Sequence, residues 1–329
     1  MITVSVCMIT YGHESYIRGA IYGVLMQETN FEIELIIAND CSPDKTDVII
    51  NEIIDKHPKG HCIKYVNHKK NIGIMPNLFS AIDKCTGKYI AMCEGDDYWI
   101  DKGKLQKQVT VLNANFDVGL VYTGVKFYNQ KENKFVDIPS RYAETRAQVI
   151  PKMLKSKFIE FPTTVFRASV FNEVMSILKS ELLDNAIIGD TRILLETAHH
   201  SEIYFLEDVT TVYRVAEGSA SYPKNIDKYI FALMDTYQCR LNFVKRNNMD
   251  GKLLAYTICN TNKSLINKAF VSKNYKIALK LLRSLLIKET FMNCDFKTFR
   301  EKISISVILK LILIPLGIGV LKQQLQDEG

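Results

Sequence analysis

Residues 88–99 read Lys-Tyr-Ile-Ala-Met-Cys-Glu-Gly-Asp-Asp-Tyr-Trp, an apolar run that ends abruptly in Glu94, Asp96 and Asp97. A short apolar run of this kind reads as a strand buried on both faces, as in a parallel sheet. Three carboxylates within four positions repel one another beside a low-dielectric sheet unless a cation or protons compensate. Oxygen-rich sites with one or two carboxylates suit Mg2+ or Mn2+, above all where phosphate oxygens complete the shell. The competing reading is a solvated acidic turn that caps the helix after Trp99. Position decides between them, because ligands of open parallel sheets bind outside the carboxyl ends of the strands.

Outward from this segment, strands and helices alternate. Residues 2–9 and 34–38 are apolar strands, 62–66 a third and 88–93 a fourth. Between them, apolar positions recur at helical spacing over about 14–28, 48–54 and 74–85. Ser42 and Pro43 offer a cap and a first turn for the second helix, and Gly87 a C′ residue for the third. Such crossovers imply an α/β fold, a mainly parallel sheet flanked by helices. Further on, the pattern predicts helices near 103–113, 168–179 and 190–199, and strands near 118–129, 161–167, 203–206 and 209–215. From about 224 it is helical only, so we expect a domain over 1–222 and an α-helical extension over 223–329.

Two more polar clusters follow strand ends, Thr10-Tyr11-Gly12-His13-Glu14 and Asn39-Asp40-Cys41-Ser42. Asp40 suits a base N–H or ribose hydroxyls, or else an Asx turn or a cap ahead of Pro43. Glu14 suits a ligand or only its helix dipole. His199 and His200 end a helix with no nearby carboxylate or cysteine pattern in the sequence, which favours a surface or C-cap role.

Composition excludes several classes. The net charge is +6 over 329 residues, too weak and too spread for nucleic acid. Eight cysteines form no CxxC pair or zinc spacing, and several lie in apolar runs, so a reducing compartment without disulfides is expected. The amino terminus lacks a signal-peptide pattern, which predicts a cytoplasmic protein. No P-loop, GxGxxG after the first strand or GxSxG elbow is present.

Together the segments Thr10-Tyr11-Gly12-His13-Glu14, Asn39-Asp40-Cys41-Ser42-Pro43-Asp44, Asn71-Ile72-Gly73, Thr86-Gly87-Lys88-Tyr89-Ile90 and Glu94-Gly95-Asp96-Asp97-Tyr98-Trp99 resemble the family 2 inverting glycosyltransferases of GT-A fold, over roughly 2–220. The resemblance implies a nucleotide-sugar donor, with UDP as the default carrier, and a glycan or lipid-linked acceptor in surface-polysaccharide synthesis. It implies donor contacts from Thr10, Tyr11, Glu14, Asp40, Asn71, Asp97 and Arg214, a Mn2+ or Mg2+ ion on Asp96, and Asp190 as catalytic base, with Glu181 and Asp184 in reserve. Three positions depart from the family pattern. Asn39 and Glu94 each replace an aspartate or other acidic residue, and Ala216 stands where many relatives carry a histidine; Arg214 or Glu217 is the expected substitute.

Residues 303–321 are apolar around Lys310 and Pro315, with Lys297, Arg300 and Lys322 flanking. A central lysine costs about 2.5–3.5 kcal/mol on insertion, so we expect a helix lying on the inner membrane face, against the alternative of a core helix. Two other functions compete with the transferase: a sugar-nucleotide nucleotidyltransferase, which would carry a glycine-rich loop after the first strand, and a binding module without catalysis.

Overall fold

The computed structural model describes residues 2–136, 146–155, 159–186, 189–216, 219 and 225–249. The chain divides into two compact units, Met1–Tyr222 and Pro223–Gly329. In the first, β1 (Val4–Thr10), β2 (Ile33–Asn39), β3 (Ile63–Asn67) and β4 (Tyr89–Met92) alternate with α1 (Ile17–Leu25), α2 (Thr46–Lys56) and α3 (Ile74–Ile82). Then come β5 (Tyr98–Trp99), α4 (Lys104–Ala114), β6 (Val118–Asn129), β7 (Lys134–Val136), α5 (Arg146–Lys155), β8 (Val165–Arg167), α6 (Ala168–Asn185), α7 (Asp190–His200) and β9 (Glu202–Val215). Of the second unit, α8 (Ile226–Arg246) is described, burying Ile230, Cys239, Phe243 and Val244.

One sheet runs in the order β3-β2-β1-β4-β8-β6-β9-β5, with β7 added on β6. β3, β2, β1 and β4 are parallel neighbours, and β6 and β9 are parallel to each other. β8 is antiparallel to both β4 and β6, so it joins the two parallel groups into one mixed sheet. β1, β2 and β4 are almost wholly buried because helices cover both faces. Val6, Met8, Ile21, Leu35, Ile37 and Tyr89 belong to the core on which α1 packs.

Several expected boundaries move. α2 starts at Thr46, not at Ser42-Pro43, and Asp44 Oδ1 accepts from Thr46 N–H and hydroxyl at 3.1 and 2.6 Å. α3 ends at Ile82, so Gly87 is not its C′ residue; its N–H instead donates to Ser5 Oγ at 2.8 Å. Residues 161–163 form a 3-10 turn, which shortens the strand expected over 161–167 to β8. The two strands expected between 203 and 215 are one, β9, with register shifts against β6. β7 and α5 have no counterpart in the sequence reading. The apolar segment 303–321 lies outside the described residues; among them no helix is long and apolar enough to cross a membrane.

At the amino end of the sheet a buried acid fastens three segments. Glu34 accepts from Ser5 Oγ at 2.5 Å and from Thr86 N–H at 2.8 Å, and pairs with Lys64 at 2.5 Å. Burial alone would raise its pKa, but the hydrogen bonds from Lys64, Ser5 and Thr86 outweigh burial and hold it below the ordinary value. A carboxylate lowered in the fold stabilises it above the unfolded pKa, and that share is lost as pH falls through the folded value. Glu34→Gln is therefore expected to lower the urea midpoint at pH 7, with the gap to wild type closing below about pH 4. A gap that stays constant down to about pH 3, roughly one unit below the ordinary glutamate value, would contradict this.

Candidate active site

The carboxyl ends of β1, β2 and β4 open into a cavity of about 290 Å3. Thr10, Tyr11 and His13 line it from the end of β1, Asp40 from the end of β2, and Glu94, Asp96 and Asp97 from the loop after β4. α3 contributes Ile74, Met75, Asn77 and Leu78, the 3-10 turn contributes Phe161 and Pro162, and Gly189 and Asp190 close it from the start of α7. Two helices thus present their amino ends to the same space, where the helix dipoles favour an anion.

The acidic loop is held from within. Asp97 is buried, and its Oδ1 accepts the backbone N–H of Arg214 at 2.7 Å. The Arg214 guanidinium donates to the Asp96 carbonyl at 2.7 Å and lies over the rings of Tyr98 and Tyr16, at 4.3 and 5.1 Å from their centres. Arg214 is thus a fastener behind the loop and is not among the residues lining the cavity. Asp96 also lines the cavity, with its side chain 23% exposed. His13 Nε2 is 4.0 Å from Asp96 Oδ2, and His13 Nδ1 is 3.1 Å from Thr10 Oγ1. Gly95 has to be glycine: a Cβ there would stand 2.7 Å from Thr10 Oγ1 and 2.9 Å from His13 Nδ1.

Among the described residues no group of three or more His, Cys, Asp or Glu side chains forms a metal centre. What the edge offers is a partial shell, Asp96 beside His13, open to a cavity that also favours anions. That suits a hard divalent ion whose remaining ligands are substrate phosphate oxygens and water.

The other expected donor contacts divide. Thr10 is buried at the cavity wall and Tyr11 stands half-exposed at its mouth. Asp40 lines the cavity, but its two oxygens accept the N–H groups of Ile72 and Gly73 at 2.6 and 2.9 Å. Asp40 therefore ties the end of β2 to the segment before α3, which is neither the cap ahead of Pro43 nor a side-chain cap of α3 itself. Glu14 turns away: its carboxylate accepts Lys45 N–H at 3.0 Å while its own N–H donates to Asp44 at 2.9 Å, strapping the β1 loop to the start of α2. Neither Glu14 nor the exposed Asn71 lines the cavity. Asn39 accepts from Ser42 and donates to Tyr65 at 3.0 Å, so it shapes the β2 turn.

Asp190 opens α7, its Oδ1 accepting Thr191 N–H at 2.6 Å. Gly189 permits that position, since a Cβ there would meet Met75 Sδ at 2.5 Å. Glu181, the reserve base, instead pairs with the buried Arg192 at 3.0 Å and ties α6 to α7. The Asp184 side chain and Glu217 lie outside the described residues. His200 does have carboxylates near it, Glu173 at 3.7 Å and Glu196 at 3.6 Å, contrary to the sequence reading; the helix surface brings them together.

Sequence reasoning missed the support beneath the site. Trp99 Nε1 donates to Pro162 O at 2.9 Å, and Gln108 Nε2 to Thr163 O at 2.9 Å. Lys104 is fully buried, donates to Gln108 Oε1 at 2.5 Å and Thr163 O at 3.2 Å, and lies 4.6 Å from the Trp99 ring centre. Burial pushes its pKa down to about 7. Burial also raises the Cys93 thiol, with Glu94 and Asp97 adding to the effect. The six described cysteines are free thiols.

The sequence model described as glycosyl transferase family 2 matches residues 5–175, just over half of the chain. The chain belongs to glycosyltransferase family 2. An uncharacterized protein of Mycobacterium tuberculosis is 30% identical to it over 210 residues, 64% of this chain and 58% of that protein. The chain thus spans under two thirds of the length of such relatives. Among solved structures, TarS 1–349 of S. aureus in complex with UDP-GlcNAc aligns with a TM-score of 0.59 at 17% identity, covering 91% of this chain and 90% of that one. The mannosyltransferase PcManGT of Pyrobaculum calidifontis, in complex with GDP-Man and Mn2+, aligns at 0.54 and 16% identity over 94% and 86%. At such identities the likeness bears on fold alone, and the fold is GT-A.

Asp40→Ala would leave two part-buried N–H groups without their acceptor, at about 1–3 kcal/mol each when fully buried. We expect a loss near the low end, about 2 kcal/mol in all, with Asp40→Asn losing less because its amide oxygen still accepts. Chemical denaturation reads this directly; an unchanged midpoint for Asp40→Ala would refute the role of Asp40 in holding that segment.

Proposed function

We propose that this glycosyltransferase moves a sugar from a nucleoside-diphosphate donor, with UDP the default carrier, to a hydroxyl of a glycan or lipid-linked acceptor, with inversion. Surface-polysaccharide synthesis on the cytoplasmic side of the membrane is the setting in which such acceptors occur. The reading is carried by one observation: Asp96, at the open edge of the sheet, and Asp190, at the start of a helix, line one cavity although 94 positions separate them in sequence.

In this reading Tyr11 and Thr10 flank the nucleoside. The amino ends of α3 and α7 favour the charge of the diphosphate. Asp96 holds a divalent ion, which when bound neutralises charge on the departing diphosphate. Asp190 accepts the proton of the acceptor hydroxyl as its oxygen attacks the anomeric carbon. The bond from that carbon to the diphosphate oxygen breaks on the opposite face, which inverts the configuration. Phe161 and Pro162, pinned by Trp99, exclude water from that side. The single displacement needs Asp190 ionised and within hydrogen-bond reach of the acceptor.

A panel of nucleotide sugars assayed with Mn2+ or Mg2+, with and without EDTA, tests the assignment. Donor turnover should require the metal and be abolished by EDTA. Asp190→Asn should lower kcat by about 100-fold to 10,000-fold with little change in donor binding. Metal-independent turnover would overturn the role of Asp96. Absence of both turnover and binding for every donor would favour a protein without catalysis.

A further inference from the structure

We infer that His13 is the second protein ligand of the divalent ion, beside Asp96, and that it biases the site toward Mn2+ over Mg2+. The inference rests on the proposed metal-diphosphate reading and adds to it a residue outside the expected donor and metal set.

Three observations carry it. First, His13 Nε2 and Asp96 Oδ2 lie 4.0 Å apart across the edge of the cavity, and both residues line it. That gap is too long for a hydrogen bond. One ion roughly 2.1 Å from each donor spans at most about 4.2 Å, and roughly 3 Å when the two are neighbours in an octahedron. The 4.0 Å separation falls inside that range.

Second, the far side of the ring is held as ligating imidazoles are. Such a histidine characteristically donates its other ring N–H to an oxygen, which fixes tautomer and orientation. Thr10 Oγ1, 3.1 Å from His13 Nδ1, fills that place in the tautomer that carries the proton on Nδ1. With the proton on Nδ1, the Nε2 lone pair is directed to the cavity edge. The backbone is fixed as well, His13 N–H donating to Thr46 Oγ1 at 2.9 Å.

Third, the acidic loop is shaped around this ring. Gly95, between Glu94 and Asp96, has no room for a Cβ because Thr10 Oγ1 and His13 Nδ1 occupy it, 2.7 and 2.9 Å away. Gly95 N–H also donates to Ile9 O at 3.0 Å, which binds the loop to the end of β1 next to His13. Imidazole and the carboxylate-bearing strand end are thus built as one unit. An imidazole nitrogen is a softer donor than oxygen and favours transition ions over Mg2+.

The test is electron spin-echo envelope modulation of Mn2+ added to the full chain with UDP, and in parallel with GDP, using protein labelled with 15N-histidine. We expect nitrogen coupling that changes from the 14N to the 15N pattern on labelling and is absent in His13→Gln and His13→Asn. Mn2+ affinity in the presence of the nucleotide should fall by at least about tenfold in both, the low end for loss of even an outer partner. Mg2+ affinity should fall less. A wild-type spectrum without histidine coupling overturns the inference without reference to any variant's folding. So does unchanged Mn2+ affinity in His13→Gln. Asp96→Asn separates the two claims: nucleotide-dependent Mn2+ binding that survives it sinks the reading of the acidic edge. Binding that is lost there while wild type lacks histidine coupling sinks only the role of His13. A wild type that binds no Mn2+ with either nucleotide overturns both.

Discussion

The site depends on how one arginine holds an acidic loop in place. Arg214, near the end of β9, donates its backbone N–H to Asp97 and its guanidinium to the Asp96 carbonyl, between the rings of Tyr16 and Tyr98. A positive charge behind the loop offsets part of the repulsion among Glu94, Asp96 and Asp97, and a guanidinium suits this because it is weakly hydrated and stacks on aromatic faces. Asp97 is buried and bonded to the Arg214 N–H, while the adjacent Asp96 keeps its side chain partly exposed at the cavity.

The rest of the cavity follows from the sheet. Because β1, β2 and β4 are parallel neighbours, their carboxyl ends meet at one edge, and the segments that follow them become neighbours in space. Asp40 and Gly189 then set the amino ends of α3 and α7. Asp40 accepts two N–H groups ahead of α3, and Gly189 lets α7 abut Met75. Trp99, Lys104 and Gln108 hold the Phe161–Thr163 turn from below, so this wall of the cavity is anchored to the segment that follows Asp96.

The parallel half of the fold was legible because apolar runs separated by helical periods admit few topologies. Asp96 and Thr10 could be placed at the sheet edge for the same reason, whereas Asp190 was singled out only through the family resemblance; the structure sets all three on one cavity. Asp40 and Glu14 were legible as polar residues at strand ends, but their partners are backbone N–H groups brought in by distant turns. β7 and the joining of 203–206 to 209–215 into one strand depend on pairing with β6, a tertiary contact that periodicity does not carry. His13 was visible within the β1 cluster, yet only the loop's return past Thr10 sets its ring beside Asp96. Lys104 gave no signal at all, since a lysine in a helical period reads as solvent-facing until Trp99 and the 3-10 turn close over it.

The central claim is that the acidic edge grips a divalent ion, which grips a diphosphate. A crystal of the full chain grown with UDP and manganese, with anomalous data collected near the manganese edge, tests it most directly. The account predicts one anomalous peak in coordination distance of Asp96, bridging to the diphosphate oxygens inside the cavity closed by Asp190. A nucleotide in another cleft, or manganese remote from Asp96, would contradict it.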